Sequence, residues 1–231
     1  MRIINSFPEP KINCNFEDVY IPSDDTYLII DYFRECINEN YFDKLDIKNV
    51  KNILDMGTGT GIIALFLQEV KKRISNFSPR IIASDILENA IKCAKLNESF
   101  NNPEKSITFI QSDLFKEFPA NLKNTFNIII FNPPYLPSLK YYSKASVKKD
   151  IDNSWNGGKK GFEVFLEFIS QVKSFLALSQ SYYIYYISSS VVDFQNVTKK
   201  LEICGFKNTI LRKKHIFFED IILNRLEKLE R

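Results

Sequence analysis

An α/β fold built on a parallel sheet is predicted for this 231-residue chain by three observations. Short β-rich runs alternate with helical patterns along most of its length. A glycine loop, Asp55-Met56-Gly57-Thr58-Gly59-Thr60-Gly61, joins a strand-like run to a helical one, and a later strand-like run ends on Asn132-Pro133-Pro134-Tyr135. Alternation of this kind makes βαβ units, in which each crossover helix returns the chain so that neighbouring strands run the same way.

The elements follow in chain order. Asp24, Asp25 and Thr26 are short polar residues of the kind that cap a helix, and they predict one starting near Tyr27. Val50–Leu54 reads as the first strand and Ile62–Val70, beyond the glycine loop, as a helix. Arg80–Ser84, Ile107–Ile110, Phe126–Phe131 and Tyr182–Ile187 read as further strands. Between them, Leu87, Ala90, Ile91 and Ala94 keep helical spacing, as do Phe162, Phe165, Leu166, Ile169, Val172 and Leu176; these stripes are core. After Gly205, Lys207–Leu211 and Phe217–Leu223 predict a closing β-hairpin, and the charged stretch from Leu226 to Arg231 a frayed end. A chain of this length at 45% hydrophobic buries one full core, so a single domain over 1–231 is expected: an entry segment and helix over 1–48, then the sheet core over 49–231.

Composition narrows the function classes. With 31 basic and 28 acidic residues the net charge is +3, a weak field that neither implies nor excludes nucleic acid. The basic clusters Lys71-Lys72-Arg73, Lys148-Lys149, Lys199-Lys200 and Arg212-Lys213-Lys214 are scattered, without regular aromatic interleaving, and read as solvated faces. Cys14, Cys36, Cys93 and Cys204 stand far apart and His215 is the one histidine, so neither a metal site nor a disulfide framework is predicted. Free thiols, no secretory signal pattern and no apolar stretch of membrane-spanning length predict a cytoplasmic chain with no membrane partner.

Two motifs carry chemistry. In the glycine loop, Gly57, Gly59 and Gly61 let backbone come close to a ligand, and the helix that follows offers free N–H groups to polar or anionic atoms. The dinucleotide fingerprint places its third glycine one residue later, so the spacing argues for a nucleotide other than NAD. In Asn132-Pro133-Pro134-Tyr135, two prolines remove two backbone donors and restrict φ, which holds the Asn132 side chain and the Pro133 carbonyl in one orientation. A planar NH2 group can donate to both. Asparagine before proline also starts ordinary turns, and the upstream loop is what favours a catalytic reading.

Together with Asp85 after the second strand and Ser112-Asp113-Leu114-Phe115 after the third, these motifs resemble the class I S-adenosylmethionine-dependent methyltransferases. More narrowly they resemble the PrmC/HemK glutamine methyltransferases. Val19 to Leu28 is similar to the entry segment of the short archaeal and eukaryotic branch that modifies the translation termination factor, and Trp155 with Gly157-Gly158 to another family segment. The resemblance implies a Rossmann-like, mostly parallel seven-stranded sheet with helices on both faces, ending in an antiparallel pair. It also implies that the first and fourth strands are neighbours, bringing the glycine loop and Asn132 to one crevice.

What the resemblance implies for individual residues can be weighed against plainer roles. Asp85 with Ile86 would meet the ribose of S-adenosylmethionine, or Asp85 would cap the next helix; Asp113 with Leu114 would meet the adenine, or Asp113 would be a cap. Asp55, Thr58, Asp25 and Thr26 would hold the methionine end, whose sulfonium and ammonium suit a negative site. Tyr20 would lie near the sulfonium, or simply pack in the core. Tyr135 would stack on the substrate's flat NH2 group, and the polar stretch from Pro137 to Trp155 would be a lid, or an ordinary surface loop. The implied activity is N5-methylation of glutamine in the Gly-Gly-Gln loop of a class 1 termination factor, aided by a small zinc-binding activator that covers a hydrophobic strand edge. N-methylation of adenine N6, guanine N2 or lysine uses the same grip and stays open at this stage.

Overall fold

The computed structural model describes residues 7–102, 104–135, 162–178, 181–191, 194–217 and 219–230. The expected lid from Pro137 to Trp155, and Gly157-Gly158, lie outside the described residues. Helices are α1 (Asp24–Cys36), α2 (Ile62–Arg73), α3 (Glu88–Asn101), α4 (Glu163–Val172) and α5 (Phe194–Ile203). Strands are β1 (Tyr41–Phe42), β2 (Leu45–Asp46), β3 (Asn52–Met56), β4 (Arg80–Asp85), β5 (Ile107–Gln111), β6 (Ile128–Phe131), β7 (Tyr183–Ser189), β8 (Phe206–Ile216) and β9 (Glu219–Lys228).

Seven strands form one sheet in the order β5-β4-β3-β6-β7-β9-β8. The five from β5 to β7 are parallel, while β9 and β8 are antiparallel additions. Strand side chains alternate between faces, so Ile53, Ile81, Ile128 and Ile130 join one buried cluster with α1 and α2 residues such as Ile29, Phe33 and Phe66. Leu54, Ile82, Ile129 and Phe131 join the other, with Phe165, Phe168, Val197 and Leu201 from α4 and α5. The central strands are buried along most of their length because both faces are covered, and β6 is apolar on every residue. Among the described residues, no helix is long and apolar enough to cross a membrane.

The strand order reverses between β3 and β6. Met56 and Phe131 are register partners there, so the next residues, Gly57 and Asn132, leave the sheet side by side. A crevice at such a reversal is where open α/β sheets bind ligands.

Several expectations need correction. The hairpin is longer than predicted: β8 reaches Ile216, and Phe217, expected to open the second strand, sits in the turn at φ 49°. The predicted frayed end is instead strand through Lys228, with Leu226 fully buried. Charged Arg225, Glu227 and Lys228 hid the strand in the sequence, although Arg225 is buried with Leu226. Helix α1 begins at Asp24, with Ser23 at the N-cap position and no side-chain capping bond. Asp24 therefore pairs with Lys214 Nζ at 2.7 Å, and Asp25 is buried. The small β1–β2 hairpin was not predicted; two-residue strands carry no readable period.

Candidate active site

A cavity of about 340 Å³ opens at the carboxyl ends of β3, β4, β5 and β6, walled by the entry segment, the glycine loop, Asn132-Pro133-Pro134-Tyr135 and α4. The glycine loop reaches it by close packing. Gly57, at φ +66°, would place a Cβ 3.4 Å from the Phe131 ring. Gly61, at φ +85°, would place one 2.9 Å from the Ala94 Cβ, so α3 leaves no room for a side chain there. Thr58 and Gly59 line the cavity; Gly61 does not.

Asp55 lies behind the lining, where it could meet a ligand through water. Its Oδ2 accepts from Thr58 Oγ1 at 2.6 Å and from the Ala64 N–H at 3.2 Å, tying strand, loop and helix together. Desolvation pushes this carboxyl up to about 7; the Thr58 and Ala64 bonds offset part of that shift and the Asp85 charge adds to it. A folded-state value above the ordinary one of about 4 contributes stability that is complete below that ordinary value and is lost as pH rises through about 7. Asp55→Asn is expected to remove that slope, so thermal melts should show the variant gaining on the wild type from about pH 4 to pH 8. A constant gap between the two across that range would assign Asp55 an ordinary acidity.

Asp85 lines the cavity from the end of β4. Its Oδ2 accepts from the Gly59 N–H at 2.9 Å and its Oδ1 from the Leu87 N–H at 3.0 Å. Leu87 itself is the N-cap of α3, so Asp85 braces the glycine loop and is not the cap considered above. Burial raises its pKa, with the Leu87, Gly59 and Ile86 N–H groups pulling it back. Beside it, Ile86 is exposed to the cavity.

After β5, Ser112 Oγ donates to the Leu114 carbonyl at 2.7 Å and holds Leu114 at φ 50°. A leucine in the left-handed region costs about 1–3 kcal/mol, and such strain concentrates at ligand sites. Leu114 is buried and lines the cavity; Asp113, at the rim, forms an exposed ion pair with Lys116. That pair leaves the cap reading of Asp113 without a bond to support it.

Asn132, Pro133, Pro134 and Tyr135 all line the cavity. Asn132 Oδ1 is buried with no hydrogen-bond partner among the described residues. Buried acceptors are almost always satisfied, so an orphan at the mouth of a cleft marks a place for an incoming N–H. Tyr135 lines the cavity and donates its hydroxyl to Asp25 Oδ2, 3.1 Å away. Tyr20 is not simply core: it lines the cavity and donates to Asp25 Oδ1 at 2.9 Å. Thr26 lines it too.

Sequence reasoning missed Ser112, Phe131, Val164 and Glu167, which also line the cavity. Val164 and Glu167 flank the buried stripe of α4, and nothing local marks them as facing a cleft formed by strands distant in sequence. The orphaned acceptor, the Asp85 carboxylate and the close backbone loop suit a nucleotide-bearing ligand beside a planar NH2 donor.

Comparison with known proteins agrees with this outline. The model of the methyltransferase small domain family matches residues 39–150. A Methanocaldococcus jannaschii protein provisionally assigned as a protein N5-glutamine methyltransferase is 29% identical over 206 residues, spanning 89% of this chain and 90% of its own. The catalytic subunit of the Schizosaccharomyces pombe eRF1 methyltransferase is 28% identical over 207 residues, 86% of this chain and 85% of its own. Among solved structures, the Mtq2–Trm112 complex of E. cuniculi, which methylates the eRF1 translation termination factor, matches with a TM-score of 0.60 at 22% identity, covering 91% of this chain and 99% of that chain. At that identity the likeness is one of fold.

Proposed function

We propose that this chain, whose residues 39–150 match the methyltransferase small domain family and which is similar to glutamine methyltransferases over most of its length, transfers a methyl group from S-adenosylmethionine to the side-chain amide of a glutamine in a class 1 translation termination factor. The observation that carries this reading is the orphaned Asn132 Oδ1 in the same cavity as the glycine loop. S-adenosylmethionine supplies, when bound, a methyl on a positively charged sulfur. Asp85 and Ile86 would hold its ribose, Leu114 and Asp113 its adenine, and Thr26, Thr58 and the Gly57–Gly59 backbone its methionine end.

The chain's own residues would do the rest. Asn132 Oδ1 and the Pro133 carbonyl accept the two N–H bonds of the glutamine amide, which orients its nitrogen lone pair and weakens its conjugation with the carbonyl. Orientation of this kind is worth up to about 7–11 kcal/mol in well-placed reactions. His215 sits on β8 with its Nδ1 2.8 Å from Asp220 and is not needed as a base, because the methylated nitrogen is strongly acidic and loses its proton to water as the neutral thioether leaves. The test is label transfer from radioactive cofactor into a termination factor and its Gln→Ala variant, with RNA and DNA in parallel. Label in the variant or in nucleic acid alone would overturn the glutamine assignment.

Asp85→Ala should weaken cofactor binding at least ~10-fold, because it removes charge-assisted bonds that brace the loop as well as the ribose contact. Turnover at saturating cofactor should stay close to wild type. Calorimetry with adenosylhomocysteine checks this, and equal affinity would refute the ribose role.

The reading extends to a small activator subunit. Among the described residues strand β5 ends the sheet with an unpaired edge, its Ile107 and Phe109 are only partly buried, and Leu96 and Phe100 on neighbouring α3 are exposed. Such an edge invites pairing with another chain. Co-expression with the activator should raise soluble yield and give a stable heterodimer; full solubility and activity in isolation would remove the requirement.

A further inference from the structure

We propose that Asp25 is a positioning residue for the amide grip, acting through Tyr135 to fix where Asn132 points. This rests on the reading of Asn132 as the acceptor of the substrate amide. Asp25 is 2% exposed, yet it lies in the cavity wall, and both oxygens of its carboxylate accept hydrogen bonds from the protein. Oδ1 accepts from the Tyr20 hydroxyl at 2.9 Å, the Thr26 N–H at 2.6 Å and the Thr26 hydroxyl at 3.2 Å; Oδ2 accepts from the Tyr135 hydroxyl at 3.1 Å.

One carboxylate thus gathers three parts of the chain: the entry segment at Tyr20, the first turn of α1, and the last residue of Asn132-Pro133-Pro134-Tyr135. Tyr135 lies 110 residues away in sequence. The link from Tyr135 back to Asn132 is stiff, because the two residues between them are prolines with restricted φ. A hydroxyl anchored at one end of this short rod sets the angle of the carboxamide at the other. The negative end also suits its place, since a carboxylate in the first turn of a helix faces the positive end of the helix dipole.

Both phenols are held as donors. Burial first, and then the charge of Asp25, raise the Tyr20 and Tyr135 hydroxyls well above the usual phenol range, so neither surrenders its proton near neutral pH. With each carboxylate oxygen holding a protein donor, Asp25 acts on the cavity through its charge and through the geometry it imposes. The plain alternative is that the cluster only stabilises the fold.

The two readings separate on measurement. Tyr135→Phe keeps the ring and removes only the anchoring bond, and Asp25→Asn keeps the shape and removes the charge. For Tyr135→Phe, kcat for methyl transfer to the termination factor is expected to fall about 10-fold, the size of one well-made hydrogen bond. Adenosylhomocysteine affinity should stay within about 2-fold. The double variant should be no worse than Asp25→Asn alone, because both changes cut the same link. The side-chain amide resonance of Asn132, observed by 15N NMR without any substrate, should shift or broaden in both variants. Unchanged kcat in an active enzyme, multiplying losses in the double variant, or an unmoved Asn132 resonance would each overturn the proposal. A wild type that labels no glutamine while the resonance moves as expected would instead overturn the substrate reading and leave the tie standing.

Discussion

Replacing Asn132 with alanine is expected to lower turnover at least ~100-fold while adenosylhomocysteine binds nearly as before, the magnitude seen when one preorganised polar partner of a reacting group is removed. The same substitution should not destabilise the protein. Asn132 Oδ1 is buried without a partner among the described residues, and keeping an acceptor so costs about 1–3 kcal/mol. Alanine removes that cost together with the grip, so the melting temperature should hold or rise as activity falls. This opposition of stability and activity distinguishes a functional orphan from a structural asparagine. Turnover near the wild-type value would take Asn132 out of catalysis, and a large drop in melting temperature would assign it a structural bond instead.

The second large effect lies away from the cavity. Asp43→Ala should reduce unfolding free energy by about 3–5 kcal/mol, the cost of stranding one member of a buried ion pair. Asp43 pairs with Arg225 on β9, their side chains only 8% and 3% exposed, and also accepts from the Tyr185 hydroxyl at 3.1 Å. The guanidinium carbon sits 4.3 Å from the centre of the Tyr183 ring. Without the carboxylate, the Tyr185 phenol loses its acceptor and the buried guanidinium keeps only its longer, 3.3 Å pair with Glu227. Arg225→Met added to Asp43→Ala should recover much of the loss, since an apolar pair of similar volume avoids the desolvation penalty. A loss under about 1 kcal/mol in denaturant unfolding would mean that water reaches Arg225 freely. The pair fastens the β1–β2 hairpin to the far end of the sheet, so turnover of the folded fraction should not change.

How legible the molecule was differed from element to element. The five parallel strands were visible because strands covered on both faces are rich in apolar and β-branched residues, and Ile128-Ile129-Ile130-Phe131 is apolar throughout. The glycine loop and Asn132-Pro133-Pro134-Tyr135 were visible because their chemistry is in the backbone: positive φ at Gly57 and Gly61, and restricted φ at two prolines. Boundaries slipped where tertiary contacts extend an element, as at β9, whose buried Leu226 lies among charged neighbours.

Local residue types determined that strands would alternate with helices, that a ligand loop would follow the first long strand, and that a rigid amide would end the fourth. These follow from dihedral preferences and hydrophobic period, which act within a few residues. Tertiary structure alone decided what each polar side chain does. Asp55 was drawn inward to Thr58 and Ala64, Asp25 became the meeting point of Tyr20 and Tyr135, and Asp43 found Arg225 across 182 residues. A carboxylate's role depends on which donors the chain topology carries to it, and that distance in sequence leaves no local mark.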